Sequence, residues 1–583
     1  MRRAVTIVNY ISRRYLTTFA SLLLIAVSGL WNPLPAALAA IQPIAAPAMT
    51  IVKPVIDCAD LANVDLSAIG GAGSKIMSVR EVVKGDIFCE VKGLLKPTIN
   101  FTVLLPINSW SQRYLQVGCG GLCGRVLLQL DGAAGCRPLE TSGFVIAATD
   151  MGHVTGEANF GNNPQKRRDF AYRSVHLTSV ATKQLITTYY GRAAAYSYFS
   201  GCSDGGREAL VEAQRYPHDF NGIIAGAPVN NFQVHKALDH GWEAVSNTDA
   251  SGNAIITAQL LPLIHQAVLQ QCDAQDGQKD GLIADPQSCH FDPSVLSCAD
   301  LSADNIAGED CLSELQISVL RKIYGGPRDS VTGQRLTAGG PLPGSELGWA
   351  GLFVPRKTGD LNYSQGVALS TLKYLNYEKN PPASFTLKDL KFNQQTLAEL
   401  IKLHPLYDSS NSSLQAFYAA GGKLILWHGW ADPSITPLNT LAYHLAIGQT
   451  MGTVERDKFE RLYMLPGVYH CSTGPGPSQI DFLTPMLEWV EQGKAPDALV
   501  SYQTVPGQKS KIVTKALQGD MRLEYVAEGA PSRPVFPYPD YAVYSGRGDE
   551  GQAASYLRKR LATVPTRYPW LGDKMFTPYQ VMN

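Results

Sequence analysis

Short runs of β-branched and aromatic residues recur along the first part of the chain, each separated from the next by a turn or a stretch with helical spacing. "NFTVLLP" (100–106) and "RYLQVG" (113–118) predict strands, and "GFVIAATD" (143–150) and "FNGIIAGAP" (220–228) predict strands that run into polar loops. "SVHLTSVATKQLITTYYG" (174–191) spaces Val, Leu and Ile along one face of a helix. Strands alternating with helices predict a mostly parallel α/β sheet, whose sites lie at the carboxyl ends of the strands. The rhythm breaks over residues 232–419, a stretch rich in turns, Pro, Gly and Asx that holds four cysteines. A strand signal returns with "KLILWHGWAD" (423–432) and "ERLYMLPGVYHC" (460–471). A sheet interrupted and then resumed predicts an inserted lid domain at 232–419, between a first sheet segment at 41–231 and a second at 420–583. Such an insertion would sit over the strand ends, where it could close on a ligand.

One stretch joins a strand to a helix through a chemically suggestive turn. "FSGCSDGGREAL" (199–210) contains G-x-S-x-G as Gly201, Ser203 and Gly205, with the apolar "AYSYF" before it and the helical "REALVEAQRY" after it. A nucleophile elbow needs that strand–turn–helix context, and its glycines permit the tight backbone. By itself the pattern is weak, because a glycine-rich loop could hold a serine with no role. A serine nucleophile also needs a base and a carboxylate to orient it. In α/β-hydrolases these follow in the order Ser, Asp or Glu, His. Asp432 and His470 stand just past the two resumed strands, in that order. His428 precedes the acid and is read as structural. Cys202 immediately precedes the serine and Cys471 immediately follows the histidine, so a bridge between them would hold the imidazole near the hydroxyl. Two buried free thiols are the alternative. N–H donors for an oxyanion are expected from Asp204, after the serine, and from Gly120 or Gly121 in "VGCGGLCG" (117–124).

Composition narrows the class. The 583 residues exceed one ordinary core, and 45% hydrophobic with 17% charged residues describes a globular protein. Lys+Arg and Asp+Glu balance at 50 each, with no basic excess to attract nucleic acid or anionic lipid. The N-terminus predicts a cleaved export signal over residues 1–40. Arg2, Arg3, Arg13 and Arg14 precede "TFASLLLIAVSGLW" (18–31), and "PAALAA" (35–40) offers small-residue cleavage sites. About 14 apolar residues fall short of the roughly 18–20 that span a bilayer, so no lasting membrane insertion is expected. The expected location is therefore secreted or periplasmic. Export makes the eleven cysteines disulfide candidates: Cys58, Cys89, Cys119, Cys123, Cys136, Cys202, Cys272, Cys289, Cys298, Cys311 and Cys471. Their odd number leaves at least one unpaired within the chain, and spacing does not specify connectivity. No pair has zinc-site spacing.

Three segments together resemble the tannase/feruloyl esterase family: "YSYFSGCSDGGREALVEAQRYPHDFNGIIAGAP" (196–228), "HGWADPSITP" (428–437) and "PGVYHC" (466–471). "GGPRDSVTGQRL" and "PGSELGWAGLF" in the insertion also resemble its lid. The resemblance covers residues from about Cys58 to Tyr556 and implies an α/β-hydrolase with a large lid. It implies Ser203 as nucleophile, His470 as base, Asp432 as orienting acid and a Cys202–Cys471 disulfide. In "CDAQDGQKDGLIADPQSC" (272–289), Asp273, Asp276, Asp280 and Asp285 lack EF-hand spacing and read alone as a solvated turn. The family carries calcium on D-x-x-D-G-x-x-D, which implies Asp273, Asp276 and Asp280 as side-chain ligands and the carbonyls of Gln278 and Leu282. The sequence departs from the family in lacking a late cysteine pair, since "RPVFPYP" carries Phe536, and in its Cys119, Cys123 and Cys136 cluster, for which no pairing is evident.

The expectation is an exported serine esterase working through an acyl-enzyme on small aromatic acid esters, feruloyl or galloyl. A mono(2-hydroxyethyl) terephthalate-type hydrolase is the alternative within the family. An acyltransferase and a non-catalytic binding protein are the alternatives outside it. Trp349, Phe353 and Tyr363 are candidate aromatic walls or lid core, and Arg356 or Lys357 could meet a substrate carboxylate. Nothing in the sequence specifies an oligomeric state.

Overall fold

The computed structural model describes residues 46–582 except 129, 131–134, 155, 299–309, 358, 361 and 504–528. The expected export signal, residues 1–40, lies outside the described residues. Nine strands form the central sheet: β1 (Lys75–Lys84), β2 (Asp86–Leu95), β3 (Ile99–Pro106), β4 (Arg113–Val117), β5 (Phe144–Thr149), β6 (Tyr196–Cys202), β7 (Gly222–Gly226), β8 (Lys423–Gly429) and β9 (Glu460–Leu465). Their spatial order is β1-β2-β3-β5-β4-β6-β7-β8-β9. From β5 to β9 every pairing is parallel. At the other edge β1, β2, β3 and β5 pair antiparallel. Only Gly85 separates β1 from β2, too short for the crossover a parallel pair needs.

Alternate residues of each strand enter different cores, because successive side chains point to opposite faces. Phe101, Val103, Leu105, Val145 and Ala147 join one apolar cluster, whereas Leu104, Phe144, Ile146 and Ala148 join the other. The first cluster is covered by α1 (Ser174–Tyr190) and α2 (Asp204–Arg215), through Leu185, Ile186, Leu210 and Val211. Both faces being buried explains why the central strands read as continuous apolar runs.

Between β7 and β8 the chain leaves the sheet. That segment has an apolar cluster of its own, built on α3 (Leu261–Cys272), α4 (Glu314–Gly325) and the pair Trp349 and Phe353, with α5 (Tyr363–Tyr374) nearby in sequence. After β8, α6 (Pro437–Met451) joins the first cluster and α7 (Leu483–Gln492) the second. A three-stranded sheet of β10 (Gln479–Ile480), β11 (Leu499–Tyr502) and β12 (Ser532–Val535) follows, then a hairpin of β13 (Asp540–Tyr544) and β14 (Tyr556–Arg560). No helix among the described residues is long and apolar enough to cross a membrane.

Candidate active site

Ser203 occupies the turn between β6 and α2 with φ +65° and ψ −121°. A non-glycine residue in that region is strained, and the neighbours show what enforces it. A Cβ on Gly201 would lie 2.4 Å from the carbonyl oxygen of Gly205, and one on Gly205 would lie 2.9 Å from that of Cys119. The two glycines therefore let strand, helix and the 118–121 loop converge under the serine. His470, five residues past β9, places Nε2 2.9 Å from Ser203 Oγ. Its Nδ1 lies 2.7 Å from Asp432 Oδ2, so the carboxylate holds the N–H on Nδ1 and leaves Nε2 as acceptor. Asp432 is fully buried past the end of β8, and its Oδ1 accepts from the N–H groups of Ser434 and Ile435 at 2.8 and 3.0 Å. Burial alone would raise its pKa, but the His470 charge and hydrogen bonds from His428 and His470 outweigh it and hold the carboxyl far below its usual range.

His428 is buried and does not face Ser203. Its Nε2 meets Asp432 Oδ2 at 3.1 Å and the Ile435 carbonyl at 3.0 Å, while Nδ1 meets the Thr440 hydroxyl at 2.7 Å. With two acceptors at Nε2 an N–H sits there, so this imidazole donates to the carboxylate that meets His470. The four-residue spacing in "HGWAD" carries that signal.

Cys202 and Cys471 are disulfide-bonded, as are Cys58–Cys89, Cys119–Cys123, Cys272–Cys289 and Cys298–Cys311; Cys136 is free and buried. The Cys119–Cys123 bridge closes the loop that carries Gly120 and Gly121. Behind it lies Glu208, whose Oε1 is 2.8 Å from Cys119 Sγ and whose carboxyl is pushed well up by burial and by Asp204. Among the described residues the N–H groups of Gly120 and Gly121 have no backbone partner, and both residues line the cavity at Ser203. Asp204 begins α2, where an N–H has no acceptor inside its own helix.

The cavity has a volume of about 580 Å³. Gly118, Gly120 and Gly121 line it beside Ser203 and His470, and Leu352, Tyr363, Trp427, Pro433 and Tyr469 give it apolar walls. Of the three aromatic candidates only Tyr363 lines it. Trp349 and Phe353 are fully buried in the insertion's own core, where their side chains fill the space under α3 and α4. Arg356 lines the cavity and Lys357 does not. Lys236, which sequence inspection passes over, does.

The chain matches the tannase and feruloyl esterase family over residues 80–559. It belongs to that family. Mono(2-hydroxyethyl) terephthalate hydrolase of Piscinibacter sakaiensis is 30% identical over 542 residues, 80% of this chain and 84% of that protein. A probable feruloyl esterase B-2 of Aspergillus flavus is 32% identical over 431 residues, 70% of this chain and 78% of that one. Feruloyl esterase B from Aspergillus oryzae has the same fold, with a TM-score of 0.71 at 24% identity, covering 86% of this chain and all of that one. Membership makes this tannase-family chain a carboxylic ester hydrolase of α/β fold.

Away from the cavity, the loop that follows α3 and is closed by the Cys272–Cys289 bridge carries the carboxylates expected to hold calcium. Asp276 Oδ2 is buried without a hydrogen-bond partner. Burial, then Asp280 and Asp273, push its carboxyl up to about 6, the mark of a site short of positive charge. Among the described residues the main-chain carbonyls of Gln278 and Leu282 accept no backbone hydrogen bond. Arg533 of β12 reaches Asp280 and Gln278, so one cation already leans on the cluster. An all-oxygen set of carboxylates and main-chain carbonyls, in which Asp276 Oδ2 meets Arg533 Nη1 only at 4.0 Å, fits a hard divalent cation.

Proposed function

We propose that this esterase cleaves small aromatic acid esters through an acyl-enzyme on Ser203. The observation that carries the reading is the hydrogen-bonded chain Ser203–His470–Asp432 at the wall of a 580 Å³ cavity. Ser203 Oγ attacks the ester carbonyl as His470 Nε2 takes its proton, and the oxyanion falls to the N–H groups of Asp204 and of Gly120 or Gly121. Collapse of that intermediate breaks the bond to the alcohol, which leaves with the proton from His470. Water then enters, gives its proton to the same nitrogen, and releases the acid and the free serine. The cavity volume suits a single-ring acyl group, as in the feruloyl and terephthalate esters that name the relatives.

Residues 232–419 serve in this reading as the lid, since Lys236, Leu352, Arg356 and Tyr363 of that segment wall the cavity. Calcium would be held by Asp273, Asp276 and Asp280 with the carbonyls of Gln278 and Leu282. When bound it supplies charge neutralisation to a loop, and no step of the chemistry passes through it. Five disulfides support export to an oxidising compartment.

The test is turnover of methyl ferulate, methyl gallate and mono(2-hydroxyethyl) terephthalate by the purified mature protein. Ser203→Ala and His470→Ala should each lower kcat by three or more orders of magnitude with the unfolding curve unchanged, and Asp432→Asn should be severe through loss of imidazole orientation. Turnover within tenfold of the unaltered enzyme in Ser203→Ala would refute the assignment. Acyl transfer to an added alcohol in preference to water would mark an acyltransferase instead.

A further inference from the structure

Gly120 and Gly121 lie in a part of the site that side-chain packing does not hold. A Cβ placed on either glycine would find no atom within 4 Å, and both residues open onto the cavity. Two permissive backbones free of neighbours do not fix their own N–H directions. An oxyanion hole nevertheless needs its donors aimed before the charge develops. Among the described residues, main-chain bonds tie this loop to the sheet at its two ends. Gly118 N–H donates to the Ser200 carbonyl at 3.0 Å, and Gly124 N–H to that of Asp150 at 3.2 Å.

Between those ends side chains take over. The Cys119–Cys123 bridge closes the loop around the two glycines, across a turn in which Cys123 N–H donates to the Gly120 carbonyl at 3.1 Å. Cys123 holds φ +61° there, a conformation that a non-glycine residue keeps only where its surroundings enforce it. His153 Nε2 donates to the Leu122 carbonyl at 2.6 Å. Glu208, buried on α2, meets Cys119 twice: Oε1 lies 2.8 Å from Sγ, and Oε2 accepts from the Cys119 N–H at 3.4 Å. Burial and the neighbouring Asp204 keep that carboxyl protonated, so it lies against sulfur without a charge. Glu208 follows Asp204 by four residues on the same helix face, and so links the loop to the helix that carries the other expected donor.

We propose that the Cys119–Cys123 bridge, backed by Glu208, is a positioning device for the oxyanion donors of Gly120 and Gly121. It serves the tetrahedral intermediate and not the bound ester. The inference rests on the ester-hydrolase reading, and it gives a role to a cysteine pair in which this sequence departs from its family. Neither cysteine lines the cavity, so the bridge acts through the loop and not on the ligand. Global stability is a poor account of it. The bridge spans 4 residues, against 13, 17, 31 and 269 for the other four, and a crosslink stabilises less the shorter the loop it closes.

The test separates the intermediate from the ground state. An aryl trifluoromethyl ketone takes Ser203 Oγ onto its carbonyl carbon while the hydroxyl proton passes to His470, and the carbonyl oxygen becomes an oxyanion in the hole. The methyl ketone of the same shape binds without adding. In the purified Cys119→Ala, Cys123→Ala double variant, kcat on 4-nitrophenyl acetate should fall about tenfold or more per folded molecule. Inhibition by the trifluoromethyl ketone should weaken by a similar factor. KM and inhibition by the methyl ketone should stay within about threefold of the unaltered enzyme, since ground-state binding does not use the oxyanion. Thermal unfolding counts the folded fraction. If the double variant does not fold, Glu208→Met against Glu208→Gln decides. Met fills the space without hydrogen-bonding to the loop and should show the same split, whereas Gln keeps both hydrogen-bonding atoms and should recover most of the loss. Unchanged kcat and unchanged trifluoromethyl ketone inhibition would overturn the proposal and leave the hydrolase standing. So would a loss that falls equally on both ketones, which marks a collapsed cavity. An unaltered protein that neither cleaves the ester nor prefers the trifluoromethyl ketone would overturn the hydrolase reading, and this proposal with it.

Discussion

Asp432 Oδ2 serves two imidazoles at once, and that sharing shows how burial at single residues shapes this site. His428 and His470 both direct an N–H at it, so the carboxylate stays ionised at zero exposure. Asp239 shows the opposite balance. Its Oδ1 has no partner, its Oδ2 lies 3.2 Å from His235 Nδ1, and burial pushes that imidazole well down toward the neutral form. Burial then pushes the Asp239 carboxyl up to about 8, with only the Thr337 hydroxyl pulling it back. The sign follows from proton counts. Between the unfolded pKa near 4 and the folded value, the unfolded chain has released this proton and the folded chain has kept it. Asp239 therefore lowers stability as pH rises from about 4 to 8, at up to about 1.4 kcal/mol per pH unit, and costs nothing below that window. Asp239→Asn should remove this slope, so that its urea midpoint exceeds that of the unaltered protein at pH 8 and the gap closes toward pH 5. A gap that does not change with pH would show that Asp239 is ionised in the fold.

At the scale of elements, the strands β3 to β9 were legible because each is a short apolar run ended by a turn, and both of their faces are buried. β1 and β2 are less legible, since β1 (KIMSVREVVK) mixes exposed charges and the exposed Met77 and Val83 with half-buried Ile76, Val79 and Val82 at the sheet edge. The antiparallel sense of that edge was written in the single Gly85 linker. Ser203, Asp432 and His470 were legible from order and strand ends. Lys236 was not, because "FQVHKALDHGW" reads as a helix with a solvated lysine until the tertiary fold closes the cavity over it. The pairing of Cys119 with Cys123 likewise depends on a backbone turn that spacing does not specify. The proposed calcium loop packs against the segment that leads to His470. Gly467, in the loop that leads to His470, approaches so closely that a Cβ there would lie 2.4 Å from Leu282 Cδ2. Calcium bound only by the folded state adds RT ln(1 + [L]/Kd), about 2.7 kcal/mol at a hundred times Kd. Chelation should lower the melting temperature by a few degrees, with metal analysis giving one calcium per chain before chelation. No bound calcium, or an unfolding curve unmoved by chelator, would count against the site.

Across the whole molecule, the two halves of the site come from sequence positions far apart. The Cys202–Cys471 bridge spans 269 residues and joins the elbow after β6 to the loop after β9, enclosing the entire segment between β7 and β8. The chain-entropy treatment gives such a closure on the order of 5 kcal/mol, whereas the four-residue Cys119–Cys123 loop is worth about 2 kcal/mol, so the long bridge is the largest single term among the five. Stability alone would make it an ordinary crosslink. Its two ends, however, adjoin Ser203 and His470, whose 2.9 Å hydrogen bond is the one contact of the proposed relay made between separate strands' loops across β7 and β8. A displacement of about 1 Å between reacting groups can cost around a hundredfold in rate. The Cys202→Ala, Cys471→Ala double variant should therefore melt well below the unaltered protein and, assayed far below that melting point, should also lose about ten- to a hundredfold in kcat per folded molecule. KM should change far less, since the apolar walls Leu352, Tyr363, Trp427 and Tyr469 stay in place. A variant with lowered melting temperature but unaltered kcat would show that packing of β8 and β9 alone positions His470, and that the bridge acts only on the unfolded chain.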